Sequence, residues 1–162
     1  MSRKKILPSA QLADILKDAK SKGETIVTTN GCFDVLHLGH LRYLQAAREV
    51  GDLLVVCVNS DVSVQALKGA DRPLVPETER AELLAGLECV DYVTVFSELD
   101  AKTVLSQLKP DIHIKGGDYK TDEVIEREVV ETNGGKVMVG LNIPGKSTTN
   151  LIKTIREKYG AE

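Results

Sequence analysis

A doubly wound α/β architecture, built on a mostly parallel five-stranded sheet with helices on both faces, is the fold class this sequence predicts. Three observations predict it. Short β-branched runs recur along the chain; stretches with an apolar residue every third or fourth position separate them; and 162 residues at 42% hydrophobic content suffice for one continuous core but not for two full domains. Strands and helices alternating in this way require crossover connections, and these favour parallel neighbours.

The first amphipathic stretch, 10–22, precedes any strand and runs into Gly23, a helix stop. TIVTT (25–29) is the first strand, ending near Asn30-Gly31. Leu38, Leu41, Leu44, Ala47 and Val50 fall on one helical stripe that begins around Leu38 and stops at Gly51. LLVVCVN (53–59) is the second strand; KGADRPLVPE (68–77) reads as a loop, and a helix follows over 77–87. YVTVF (92–96) is the third strand, and Asp100 caps a helix over 101–108. IHIK (112–115) is the fourth, followed by a helix over 123–133 that stops at Gly134. KVMVGL (136–141) is the fifth, and the loop NIPGKSTTN (142–150) leads into a last helix over 148–158. The order is Rossmann-like, and ligands of such sheets bind outside the carboxyl ends of the strands, where the chain order reverses. Residues 1–162 read as a single domain, with 1–23 a helical N-terminal extension and 24–159 the core.

A formal net charge of -3 argues against nucleic acid or a membrane surface as partner, since either calls for a broad excess of Lys and Arg. Cys32, Cys57 and Cys89 are odd in number and widely spaced, which suggests neither a disulfide framework nor a zinc knuckle. The N-terminal apolar stretch is too short for a signal peptide, and no run approaches the roughly 18 apolar residues of a membrane span. A cytoplasmic protein is expected.

TTNGCFDVLHLGH (28–40) carries the most chemistry. His37 and His40 stand at the start of a helix just after a strand, where unpaired N–H groups favour anions and Gly39 lets a phosphate approach the backbone. Imidazoles at that point can donate hydrogen bonds to phosphate oxygens as charge redistributes. The competing readings are a structural histidine pair and a zinc site; zinc would need further ligands, for which only Cys32 and His113 offer themselves. Ser147, Thr148 and Thr149 precede a helical stripe, as N-caps and anion ligands do.

GCFDVLHLGH resembles the HxGH signature of the nucleotidyltransferase superfamily, and GKSTTNLIKTIR (145–156) resembles that superfamily's C-terminal phosphate-binding motif. The stretch from 59 to 93, followed by PDIHIKGGDY (110–119), is similar to the adenylyltransferase part of the ADP-heptose synthase enzymes; the accompanying sugar-kinase domain is expected to be missing from a chain this short. The resemblance implies that His37 and His40 stabilise the pentacovalent phosphorus, and that Cys32, Phe33, Gly39, Arg80, Asp118, Ser147, Thr148 and Thr149 border the nucleotide. Cys32 stands where several relatives have Thr, and no nucleophile is needed there.

Lys68 and Arg72 are loop cations suited to the sugar phosphate or the leaving pyrophosphate, Lys68 with a catalytic share. Lys115, Gly116 and Gly117 end a strand beside the substrate, with Asn59 and Asp61 lining the sugar pocket and Asp34 fixing the turn. The implied reaction transfers AMP from ATP to a heptose 1-phosphate. Magnesium would be held by substrate oxygens and water rather than by a protein site, and the expected assembly is a homodimer. A cytidylyltransferase acting on glycerol 3-phosphate or a phosphoalcohol, and a nucleotide-sensing module without turnover, are the competing functions.

Overall fold

The computed structural model describes residues 2–117, 120–140 and 148–160. Its five strands are β1 (Ile26–Gly31), β2 (Leu53–Asn59), β3 (Tyr92–Phe96), β4 (Ile112–Lys115) and β5 (Lys136–Val139). All pair in parallel, in the order β3-β2-β1-β4-β5, which is the doubly wound sheet the sequence predicts. The chain steps from β1 outward through β2 to β3, then crosses back to lay β4 on the opposite side of β1. The order therefore reverses between β1 and β4, and the crevice above their carboxyl ends is where a ligand is expected.

Period-two alternation splits the sheet's side chains between two cores. One face presents Val27, Leu54, Val56, Val58, Val93, Ile112 and Ile114 to α2 (Leu38–Arg48) and α4 (Glu77–Ala85). The other presents Ile26, Val55, Cys57, Phe96 and Val137 to α1 (Ser9–Ser21), α5 (Lys102–Leu108) and α6 (Arg127–Thr132). Leu12 and Leu16 of α1 are fully buried in this second core, so the segment read as an extension is one of the layers that cover the sheet. Just ahead of it, Ile6 bridges to Val93, and the Leu7 N–H donates to the Val93 carbonyl at 3.0 Å, covering the outer edge of β3.

One helix is absent from the sequence-based expectation: α3, Asp61–Lys68. The Ser60 hydroxyl accepts from the Ser63 N–H at its start, and Gly69, at φ +99°, ends it. Lys68 thus closes a helix rather than opening a loop. The helix expected over 123–133 is split into a 3₁₀ turn, Thr121–Glu123, and the short α6. Asp100 lies one residue ahead of the N-cap Ala101, yet its carboxylate still accepts from the Lys102 N–H at 3.0 Å. Gly51 does not take the left-handed conformation seen at Gly23 and Gly134; a Cβ there would lie 2.5 Å from Val27 Cγ2, so it is close packing that requires the glycine. Residue 141 of the fifth predicted strand lies outside the described residues, among which no helix is long and apolar enough to cross a membrane. The final helix, α7, spans Thr148–Tyr159.

Candidate active site

His37 is the N-cap of α2, in extended conformation, and His40 sits in the first helical turn. Three residues of helix bring the two rings together, with centroids 3.9 Å apart and planes inclined by 21°. Phe33, at φ +47°, turns its buried ring to within 5.3 Å of His40. Burial and the neighbouring His37 push His40 down to about 4. At neutral pH His40 is therefore an uncharged donor or acceptor rather than a cation, and its Nδ1 is buried without a hydrogen-bond partner among the described residues. Gly39 is buried between the two histidines.

The C-terminal motif reaches the same place. Thr148, the first residue of α7, donates its hydroxyl to the Val35 carbonyl at 3.3 Å, joining the start of that helix to the loop that carries the histidines. Thr149 follows on an exposed position. Ser147 and Asp118, both expected at the nucleotide, lie outside the described residues.

Arg80 departs from expectation. Its guanidinium, with no solvent exposure, donates to the carbonyls of Val75, Cys32 and Asn59 and to the Asp61 carboxylate. In this arrangement it ties the end of β2, the turn after β1 and the start of α3 to α4. Asn59 and Asp61, expected in the sugar pocket, belong to the same scaffold. The Asn59 amide is buried and donates to the Ser63 hydroxyl at 2.9 Å, and Asp61 is paired with Arg80. Sequence spacing could not reveal this, because the four acceptors come from separate parts of the chain, up to 48 positions away.

Asp34 fixes the turn as expected. One oxygen accepts from the N–H groups of Leu74 and Val75 at 2.8 and 2.9 Å, and the other is paired with Arg72. Arg72 is thereby anchored beside the histidine loop, and Lys68 is exposed at the end of α3. Cys32 is half-buried; burial raises its thiol pKa, and the positive charges of Lys68, Arg80 and Arg72 only partly offset that rise. A reactive thiolate is thus disfavoured.

Lys115 closes β4 between two partners that sequence reading missed: Asn30 Oδ1 at 3.1 Å and Glu126 Oε1 at 2.8 Å. Gly116 lies against the Tyr43 ring, where a Cβ would come within 3.1 Å. The Tyr43 hydroxyl in turn bonds Thr29 at 2.6 Å and donates to the Ile114 carbonyl at 3.0 Å, clamping α2 across β1 and β4. Gly117 follows at φ +109°. His113 is no zinc ligand in this arrangement: it is fully buried, its Nδ1 lies 2.9 Å from the Thr28 hydroxyl, and burial lowers it to about 3. Among the described residues no group of three or more His, Cys, Asp or Glu could hold a metal ion.

The site's geometry can be compared with known proteins. The family model described as cytidylyltransferase-like matches residues 28–159, from the strand before the histidines to the end of α7. The chain belongs to this family. It is 53% identical over 145 residues to the bifunctional protein HldE of Geotalea uraniireducens, covering 90% of this chain and 30% of that protein. Against the bifunctional protein HldE of Geobacter sulfurreducens the identity is 50% over 151 residues, covering 93% and 31%. The chain thus spans about a third of the length of these relatives. A crystal structure of the lipopolysaccharide core biosynthesis protein from Thermoplasma volcanium superposes with a TM-score of 0.60 at 34% identity, covering 72% of this chain and 94% of that one.

Proposed function

We propose that this chain is a nucleotidyltransferase that moves AMP from ATP to D-glycero-β-D-manno-heptose 1-phosphate, releasing ADP-heptose and pyrophosphate. The observation that carries the reading is the Thr148–Val35 hydrogen bond, which unites the two phosphate-binding motifs at one end of the sheet. The choice of sugar and nucleotide rests on the resemblance to the adenylyltransferase part of the ADP-heptose synthases and on the similarity to proteins named HldE.

The second pKa of a sugar phosphate is about 6, so at neutral pH the nucleophile is already ionised and needs no general base. What remains is to align its oxygen with the α-phosphorus and to stabilise the charge that moves onto the bridging and equatorial oxygens. His37 and His40 donate N–H groups to those oxygens. A triphosphate beside His40 opposes the effect of burial and raises its pKa, which strengthens the donor as charge develops. Lys68 and Arg72 receive the acceptor phosphate or the pyrophosphate, Cys32, Phe33 and Gly39 border the nucleotide, and Ser147, Thr148 and Thr149 hold its phosphates at the start of α7. The Gly116–Gly117 backbone meets the acceptor, and Asp118 borders the nucleotide. Magnesium, if bound, is held by triphosphate oxygens and water and supplies charge neutralisation.

Pyrophosphate release from each nucleoside triphosphate against a panel of phosphate monoesters tests the reading. ATP with the heptose 1-phosphate is expected to be the productive pair. Use of CTP with glycerol 3-phosphate would replace it with the cytidylyltransferase alternative, and tight ATP binding without release would favour a sensor. A cytoplasmic homodimer is the expected setting, its stoichiometry readable by sedimentation.

A further inference from the structure

The boundary between β1 and β4 carries a polar cluster on the face opposite the histidine helix. Asn30 of β1 and Lys115 of β4 sit at the carboxyl ends of the two strands flanking the reversal point. Glu126 enters from the N-cap position of α6, and its side chain is 1% exposed. An ammonium has three donors. Here one goes to Asn30 Oδ1 and one to Glu126 Oε1, which among the described residues leaves one for an arriving oxygen. The Lys115 side chain is 17% exposed, so it is not sealed in the core as Glu126 is.

Stability does not explain the arrangement. A buried ion pair is often no more stabilising than apolar residues of the same volume, because both charges lose their hydration. This one is further burdened: Glu126 Oε2 is buried with no hydrogen-bond partner among the described residues. What the pair does provide is a fixed ammonium. A lysine stem alone has four rotatable bonds, and ordering it on ligand binding would weaken that binding.

We propose that Glu126, assisted by Asn30, is a positioning residue for the acceptor: it holds the Lys115 ammonium so that its remaining N–H meets an oxygen of the acceptor's phosphate monoester. This rests on the reading of the chain as a transferase acting on a sugar 1-phosphate.

Steady-state kinetics of Glu126→Ala, with ATP and the heptose 1-phosphate varied separately, test it. The KM for the sugar phosphate is expected to rise about 10-fold or more, the loss associated with one hydrogen bond to a charged group, while the KM for ATP stays within about twofold. Glu126→Gln, which keeps a carbonyl oxygen in place, is expected to recover most of that loss. Glu126→Asp keeps the charge but withdraws it by one carbon, is expected to raise the acceptor KM several-fold, and carries the test should the alanine variant not fold. Lys115→Met should match the alanine variant and mask any further effect of changing Glu126. Equal rises in both KM values, no rise in either, or additive losses in the double variant would overturn the assignment. A wild-type protein that fails to turn over ATP with the sugar phosphate sinks the parent reading instead. In that case calorimetric titration with heptose 1-phosphate and glycerol 3-phosphate decides this one: wild-type binding of either ester weakened in Glu126→Ala supports it, and unchanged or absent binding rejects it.

Discussion

Arg80 reaches back 48 residues to donate to the carbonyl of Cys32, fastening the turn that presents the histidines to a helix on the far side of β2. Removing the guanidinium strands three backbone carbonyls and the Asp61 carboxylate. Arg80→Met is therefore expected to lose about 3–5 kcal/mol of stability, measured as the urea midpoint at unchanged slope. Arg80→Lys should recover little, because an ammonium cannot span the same four acceptors.

His40→Ala is expected to lower turnover by roughly 100-fold, on the scale of losing one transition-state donor, with little effect on the unfolding midpoint. Pyrophosphate-release kinetics beside a thermal melt separate the two quantities. Wild-type turnover would remove His40 from the mechanism.

Acid should destabilise the fold before the bulk of its carboxylates titrate. His113 and His40 are lowered to about 3 and about 4, whereas in the unfolded chain both return to about 6.5. The unfolded state therefore binds more protons between those values, and stability is full above pH 6.5 and declines as pH falls toward 3. Melting temperatures across that range should fall, and His113→Asn, which can keep a polar group near the Thr28 hydroxyl, should flatten the slope by about one proton.

Asp34→Ala should release the segment after Gly69. The N–H groups of Leu74 and Val75 lose their acceptor and Arg72 loses its anchor. Hydrogen exchange is expected to accelerate at those two amides by about 10-fold or more, with amides in β2 unchanged.

The central strands were legible in the sequence because a parallel strand buried on both faces is written as a near-continuous apolar run, as in LLVVCVN. α3 was not legible: its eight residues begin with Asp-Val-Ser-Val, which lacks the helical stripe of 38–50, and only the Ser60 cap and Gly69 stop mark its ends. The placement of the histidines and Thr148 at helix starts was legible because each lies at the start of an amphipathic stretch. Glu126 was missed for the opposite reason. Its partner Lys115 is 11 positions away at the end of a strand, and a lone glutamate before a helix looks like a solvated one until the chain has folded around it.

The Ile6 bridge to β3 reaches beyond the N-terminal segment itself. A sheet grows by recruiting another backbone along an unclaimed margin, and on the β3 side that margin is already taken at Val93. A strand added alongside Val93 would first have to displace this bridge.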